Sequence, residues 1–260
     1  MKPIGVFDSG VGGLTVVRAL RRRLPAESIL YLGDTARLPY GTKSPATVRQ
    51  YTRRNVEFLE ARGVKAVVVA CNTATALALD DLPTPVPVWG VVEPGAVRAA
   101  HVSRGRVGVI ATEATILSDA YGRALRRMRP ELEVLSQACP LLVPLVEEGW
   151  HDDPLAEQVA RRYLEPLLSA GIDTLVLGCT HYPLLEPMLR RVVGLEVELI
   201  DSAAAVAERT ALDLAKDGLA EPGGAAPEHH FCVTDSGDRF ARLARMILGD
   251  ERVSLELVEV

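Results

Sequence analysis

Short apolar runs alternate with longer amphipathic segments along the whole chain. Ten runs of five or six residues are almost wholly apolar, as is typical of strands buried on both faces, from PIGVF (3–7) to VSLELV (253–258). Between these runs, apolar residues recur with a period near 3.6, which predicts helices over 14–24, 45–62, 73–82, 94–102, 114–128, 154–170, 184–193, 202–217 and 238–248. This alternation predicts an α/β fold with open, largely parallel sheets flanked by helices.

The chain also contains an internal repeat. The segment ARGVKAVVVACNT (61–73) aligns without gaps on SAGIDTLVLGCTH (169–181), and a glycine precedes the cysteine by the same distance in both copies. Two related α/β halves are the simplest interpretation, with a boundary near residue 96. The loop EPGGAAP (221–227) sets off a final strand–helix–strand piece, which the pattern alone assigns to neither half.

Composition and charge exclude several classes of protein. The chain has 260 residues, 48% of them hydrophobic, and a formal net charge of −5 without the basic stripe of a nucleic-acid binder. Its apolar runs stay well below the roughly 18 residues of a membrane span, and a strand begins too early for a signal peptide. The four cysteines lie far apart without a C-x-x-C pair, which argues against a zinc ribbon or a disulfide framework. We therefore expect a cytoplasmic protein without a membrane anchor.

Two of the cysteines, Cys71 and Cys179, each follow a predicted buried strand and precede a predicted helix. Ligands of open α/β sheets bind at the carboxyl ends of the strands, and a helix start favours a thiolate. Either cysteine alone is also compatible with simple core packing. Because both copies of the repeat keep the thiol, we predict that two facing thiols flank one small ligand. Such a pair removes a proton from one face of a carbon and returns one to the other, which inverts a stereocentre without a cofactor.

Other roles for the two thiols fit less well. A redox dithiol is usually close in sequence, whereas these cysteines are 108 residues apart (179 − 71). A cysteine hydrolase needs one nucleophile and one base, which leaves the second thiol without a role. The segment GVGGLT (10–15) has threonine in place of the third glycine of a dinucleotide-binding loop, so its glycines are expected to let backbone amides approach a carboxylate.

Two ionisable residues are expected near the thiols. Asp8 ends the first predicted strand beside the expected position of Cys71, and His181 follows Cys179 by two residues. A thiol needs such a neighbour to act as a base at neutral pH. An Asx turn for Asp8 and a hydrogen bond at a helix start for His181 are the structural alternatives.

Four motifs follow one another along the chain: FDSGVGGLTV, YLGDTARLPYG, ACNTA and LGCTHYP. Together they resemble the signatures of the glutamate racemase family. The resemblance implies two α/β domains with the active site in the cleft between them. It also returns the C-terminal segment to the first domain, which gives residues 1–96 and 206–260 for one domain and 97–205 for the other. The implied reaction is the cofactor-independent, metal-free interconversion of L- and D-glutamate, which supplies D-glutamate for peptidoglycan. We also expect a homodimer.

The resemblance also implies the residues of the site. It makes Cys71 and Cys179 the acid/bases, with Asp8 assisting the first and His181 and Glu147 the second. Matches to the family's substrate contacts are Asp8, Ser9, Pro39, Tyr40, Gly41, Asn72, Thr73, Thr112, Thr115, Thr180 and His181. The sequence departs from the pattern at Ala111 and Ala114, where the family usually has glycine.

Three rival functions remain open from the sequence. The same machinery could racemise another amino acid, such as aspartate. A regulatory binder would keep only the pocket, which the presence of both thiols disfavours. A cysteine-dependent decarboxylase of the same superfold needs a single thiol, so the second one disfavours it as well.

Overall fold

The computed structural model describes residues 2–224, 226–235, 238–249 and 253–260. Within these residues every predicted strand is present. The strands are β1 Ile4–Asp8, β2 Ile29–Gly33, β3 Ala66–Val69, β4 Val88–Gly90, β5 Arg106–Ala111, β6 Glu133–Ala138, β7 Thr174–Gly178, β8 Glu198–Asp201, β9 His229–Val233 and β10 Leu255–Leu257.

The helices fill the segments between these strands. They are α1 Leu14–Arg23, α2 Pro45–Ala61, α3 Asn72–Ala78, α4 Val92–Val102, α5 Glu113–Leu117, α6 Ala120–Met128, α7 Leu142–Glu147, α8 Pro154–Ser169, α9 Glu186–Val193, α10 Ser202–Lys216 and α11 Asp238–Leu248. Side-chain caps start several of them: Ser44 accepts from the backbone N–H of Thr47 at the start of α2, and Asp201 accepts from that of Ala203 at the start of α10.

Two parallel sheets form the framework, as the alternating pattern predicted. The first sheet has the order β10-β9-β2-β1-β3-β4 and the second the order β6-β5-β7-β8. The C-terminal strands β9 and β10 pair in the first sheet, where β9 lies beside β2. The predicted domain limits near residues 96 and 206 fall inside α4 and α10, so these limits stay a prediction.

The strands are apolar on consecutive residues because both faces of each sheet are covered. In β1, Ile4 and Val6 belong to the cluster that packs under α1 and α10, whereas Phe7 belongs to the cluster on the opposite face, under α2. In the second sheet, Val107 and Leu175 likewise belong to different clusters on opposite faces. Strict alternation of polar and apolar residues is therefore absent, as expected for buried parallel strands.

The strand registers bring the ends of the repeat copies to equivalent places. Phe7 pairs with Val69, so Asp8 and Cys71 both lie at the carboxyl edge of the first sheet. Ala111 pairs with Gly178, which places Thr112 beside Cys179 at the carboxyl edge of the second sheet.

Two helical segments differ from the sequence-based expectation. The predicted helix over 114–128 is divided into α5 and α6 at Asp119, whose φ of 50° is left-handed and interrupts the helical backbone. The helix α7 was not predicted, because Pro140 and Pro144 interrupt the apolar spacing that indicates a helix. It supplies Glu147 at its C-terminal end.

Across the described residues, the helices are too short or too polar to span a bilayer.

A buried ion pair fastens the amino-terminal edge of the first sheet to the segment after α10. Lys65 Nζ lies 2.7 Å from Glu27 Oε2, and the two side chains are only 7% and 2% exposed. The same ammonium group donates to the carbonyl of Leu219, and the backbone N–H of Glu221 donates to Glu27. Lys65 also pairs with the partly exposed Glu221 at 3.2 Å. Removing Lys65 therefore leaves the Glu27 charge buried without a cation.

We predict that Lys65→Met lowers the free energy of unfolding by about 3–5 kcal/mol, the usual cost of breaking a buried pair. The double variant Glu27→Gln/Lys65→Met should lose less than Lys65→Met, because the charge of the buried Glu27 is removed and only the partly exposed Glu221 loses its partner. Arg126→Met is the matched control, since its pair with Asp119 is about half exposed and worth at most about 1 kcal/mol. Urea unfolding gives all three values, and equal losses in Lys65→Met and Arg126→Met would contradict the prediction.

Candidate active site

A cleft lies where the carboxyl edges of the two sheets face each other. The space between its walls, counted together with the adjoining open solvent, is about 420 Å³. Both repeated cysteines contribute to it. The walls are formed by Ser9, Gly10, Leu38, Pro39, Tyr40, Gly41, Cys71, Asn72, Thr73, Thr112, Val143, Glu147, Cys179, Thr180 and His181.

Cys71 caps the N-terminus of α3 with its sulfur. The Sγ atom accepts from the backbone N–H of Ala74 at 3.4 Å, and the thiol donates to Ser9 Oγ at 3.6 Å. Burial, reinforced by the negative charge of Asp8, raises the pKa of Cys71 to about 12 despite these hydrogen bonds. The expectation that the helix start makes this thiol a thiolate is therefore reversed: the resting form of Cys71 is the thiol.

Cys179 has a different neighbour. Its Sγ lies 3.8 Å from His181 Nδ1, and His181 Nε2 lies 3.2 Å from Glu147 Oε1. Burial alone would lower the pKa of His181, but its hydrogen bonds with Cys179 and Glu147 raise it to about 10. The ring is therefore an imidazolium at neutral pH, held between a carboxylate and a sulfur.

Asp8 lies behind the wall of the cleft and is fully buried. It accepts from the backbone N–H of Gly10 at 2.9 Å and from Thr180 Oγ1 at 3.3 Å, so it joins the two halves of the molecule. Burial raises the pKa of Asp8, although the positive charge of His181 opposes this shift. Its effect on Cys71 is exerted through space.

The glycine-rich segment after β1 allows this close approach. A Cβ at Gly12 would lie 2.4 Å from Thr180 Oγ1 and 2.5 Å from His181 Nδ1. The hydroxyl of Thr15 also crosses to the second half and donates to the carbonyl of Thr180 at 3.1 Å. The segment was expected to let its backbone amides approach a carboxylate. Its Gly10 amide binds the carboxylate of Asp8, and its Gly12 makes room for the facing half.

Three threonines form a second contact between the halves. Thr73 Oγ1 lies 2.9 Å from Thr112 Oγ1 and 3.1 Å from Thr115 Oγ1, and the last two are 3.0 Å apart. Gly41 packs against the same place, since a Cβ there would lie 2.6 Å from the Cβ of Thr112. The hydroxyl cluster and the segment 39–41 thus close one end of the cleft.

Tyr40 turns its hydroxyl away from the cleft. The group donates to the buried Asp34 at 2.5 Å, and Asn55 donates to both of them. The tyrosine therefore anchors the segment 39–41, and the backbone of this segment supplies its polar groups to the wall.

The structure brings the sequence-predicted residues together around one cleft, with two placed behind its surface. Asp8 and Thr115 are buried: Asp8 contacts the lining residues Gly10 and Thr180, and Thr115 contacts Thr73 and Thr112. The sequence analysis missed Val143 and Leu38, which also line the cleft. Val143 lies in the unpredicted α7, and the apolar spacing around its two prolines was the signal that could have revealed it.

The walls of the cleft contain neither lysine nor arginine among the described residues. Hydroxyls, the amide of Asn72 and backbone N–H groups are the available donors for an anionic ligand, together with the His181 imidazolium. The described part of the chain also lacks a cluster of three or more histidine, cysteine or acidic side chains placed to hold a metal ion.

Comparison with known proteins decides the family. The profile of the family described as Asp/Glu/Hydantoin racemase matches residues 4–210. The chain belongs to this family. The glutamate racemase of Geobacter metallireducens is 52% identical over 263 residues, which cover 98% of this chain and 97% of that protein.

Solved structures of family members have the same fold. A glutamate racemase isoform from Bacillus anthracis superposes with a TM-score of 0.96 at 42% identity, covering 100% of this chain and 98% of the other. The glutamate racemase of Francisella tularensis in complex with D-glutamate gives 0.93 at 39% identity, covering 99% and 97%. The two parallel sheets flanked by helices are thus the fold of this family.

We predict that Gly12→Ala lowers kcat/KM by about 10²-fold, because its Cβ displaces Thr180 and His181 and small displacements of catalytic groups are costly. Gly63→Ala is the matched control. Its φ of 77° disfavours alanine by about 1–2 kcal/mol, but the added Cβ meets no atom within 4 Å. The control should lose stability and keep activity within about twofold. A Gly12→Ala enzyme with normal kcat/KM would show that the close contact is dispensable.

Proposed function

We propose that this protein is a cofactor-independent glutamate racemase that uses Cys71 and Cys179 as its two acid/bases. The observation that carries the proposal is the placement of both thiols in one cleft, each with a different protonation partner. The named relatives, about half identical over nearly their full length, support glutamate as the substrate.

In the direction from L- to D-glutamate, Cys179 accepts the Cα proton and Cys71 delivers one to the opposite face. The imidazolium of His181 stabilises negative charge on the Cys179 sulfur before the transfer, and Glu147 orients the ring through Nε2. Cys71 is protonated at rest and donates its proton as the new C–H bond forms. The step leaves a thiol at Cys179 and a thiolate at Cys71.

The reverse direction uses the same groups in opposite roles. The Cys71 thiolate accepts the proton of D-glutamate, and the Cys179 thiol supplies one to the other face. Asp8 assists the Cys71 side through space. Its negative charge raises the pKa of Cys71, which makes the Cys71 thiolate a stronger base.

Substrate binding is assigned to neutral donors. We propose that the hydroxyls of Thr73, Thr112 and Thr180 and the amide of Asn72 hold a carboxylate, with Thr115 supporting the two threonines it contacts. Ser9, the segment 39–41 and His181 contact the rest of the substrate. The added methyl groups of Ala111 and Ala114 do not disrupt this threonine cluster.

We also propose a cellular role and an oligomeric state for the enzyme. D-glutamate made by this enzyme would supply peptidoglycan synthesis in the cytoplasm, and the enzyme would act as a homodimer. Rescue of a strain lacking this protein by external D-glutamate tests the first point, and sedimentation equilibrium tests the second.

The direct test is circular dichroism of D-glutamate incubated with the purified enzyme. We expect the signal to decay to that of the racemic mixture without added cofactor and after exhaustive treatment with EDTA. Faster turnover of D-aspartate than of D-glutamate would overturn the substrate assignment. Loss of activity on chelation, with recovery on adding a metal ion, would overturn the cofactor-free mechanism.

The two-base mechanism predicts that hydrogen from the solvent enters the product. Product formed in D₂O should carry deuterium at Cα, because the thiol that delivers the proton exchanges with solvent. NMR of L-glutamate formed from D-glutamate at low conversion measures this content. Product that retains its original Cα hydrogen would contradict transfer between two bases.

A further inference from the structure

Tyr121 lies on α6 between the two cysteine-bearing edges and is buried. Its hydroxyl donates to Asn72 Oδ1 at 2.7 Å and lies 2.8 Å from Ser202 Oγ. Asn72 directly follows Cys71 and lines the cleft. The hydroxyl of Tyr121 therefore reaches from the second half of the molecule to a residue adjacent to a reactive thiol.

Tyr121 also contacts β7, the strand that directly precedes Cys179. Ser202 donates to the carbonyl of Leu177, two residues before Cys179, at 3.3 Å. The ring of Tyr121 packs where a side chain at Gly178 would be, since a Cβ there would lie 3.1 Å from its Cε2 atom. Glycine at position 178 thus leaves room for the ring directly beside Cys179.

The hydrogen bond from Tyr121 determines how Asn72 presents its amide. A primary amide has an acceptor oxygen on one side and a donor NH₂ on the other. Burial raises the pKa of Tyr121, so its hydroxyl keeps the proton that it donates to Oδ1. The opposite side of the amide carries the NH₂ group, the form of Asn72 that suits a carboxylate.

We propose that Tyr121 is a positioning residue for substrate binding: its hydroxyl fixes the amide of Asn72 so that the NH₂ group donates to a carboxylate of glutamate. The inference rests on the proposed function and adds a residue outside the cleft to it. Without the hydroxyl, the amide of Asn72 is free to rotate and to turn its oxygen toward the anion.

Four variants test the inference: Tyr121→Phe, Asn72→Ala, their combination, and Ser202→Ala as a matched control. Tyr121→Phe should raise KM for both enantiomers of glutamate roughly three- to tenfold, the effect of one ordinary hydrogen bond, with kcat within about twofold. Ser202→Ala removes the other partner of the same hydroxyl and should leave KM within about twofold. In the Asn72→Ala background, Tyr121→Phe should change KM by less than twofold, because its target is gone.

Thermal unfolding of each variant separates this role from a loss of folding. An unchanged KM in Tyr121→Phe, or an equal rise in Ser202→Ala, would overturn the inference. A Tyr121→Phe effect of the same size in both backgrounds would also overturn it, since the tyrosine would then act without Asn72. A wild-type enzyme without glutamate turnover would instead overturn the proposed function, and this inference with it.

Discussion

The active site depends on the contact between the backbone at Gly12 in the first half and the side chains of Thr180 and His181 in the second. The two cysteines belong to separate sheets, and this contact is the closest of those that bring them into a shared cleft. Space for a single hydrogen at Gly12 sets the distance between the halves. The hydrogen bond that Thr180 donates to Asp8 also stabilises this arrangement. Asp8 is fully buried, so a broken hydrogen bond could not be replaced by one to water.

The repeat gives the two halves the same skeleton, but their surroundings make the two thiols unequal. Burial and the negative charge of Asp8 keep Cys71 protonated, although its hydrogen bond with Ser9 acts in the opposite direction. Cys179 lies beside an imidazolium that Glu147 supports. In the proposed two-base mechanism one thiol donates a proton and the other accepts one, and these different neighbours are what distinguishes the two thiols.

Much of this organisation was predictable from local patterns. Apolar runs located every strand, and the gapless repeat placed Cys71 and Cys179 at equivalent strand ends. The break at Asp119 and the helix that carries Glu147 were not predictable in this way, because a left-handed residue and two prolines depend on tertiary contacts for their effect. The raised pKa of Cys71 was also missed. It comes from burial in a core cluster built from several elements and from the charge of Asp8, which a sequence read one element at a time does not contain.

The most direct test of the two-base account uses both enantiomers of a glutamate analogue with chlorine at Cβ. Its elimination needs only one deprotonation, so each thiol can be assayed separately. The account predicts that Cys179→Ser eliminates chloride from the D-analogue through Cys71, whereas Cys71→Ser does so from the L-analogue through Cys179. Neither variant should racemise glutamate, since both directions use both thiols. If both serine variants preferred the same enantiomer, the thiols would not act on opposite faces of the substrate, and the account would be wrong.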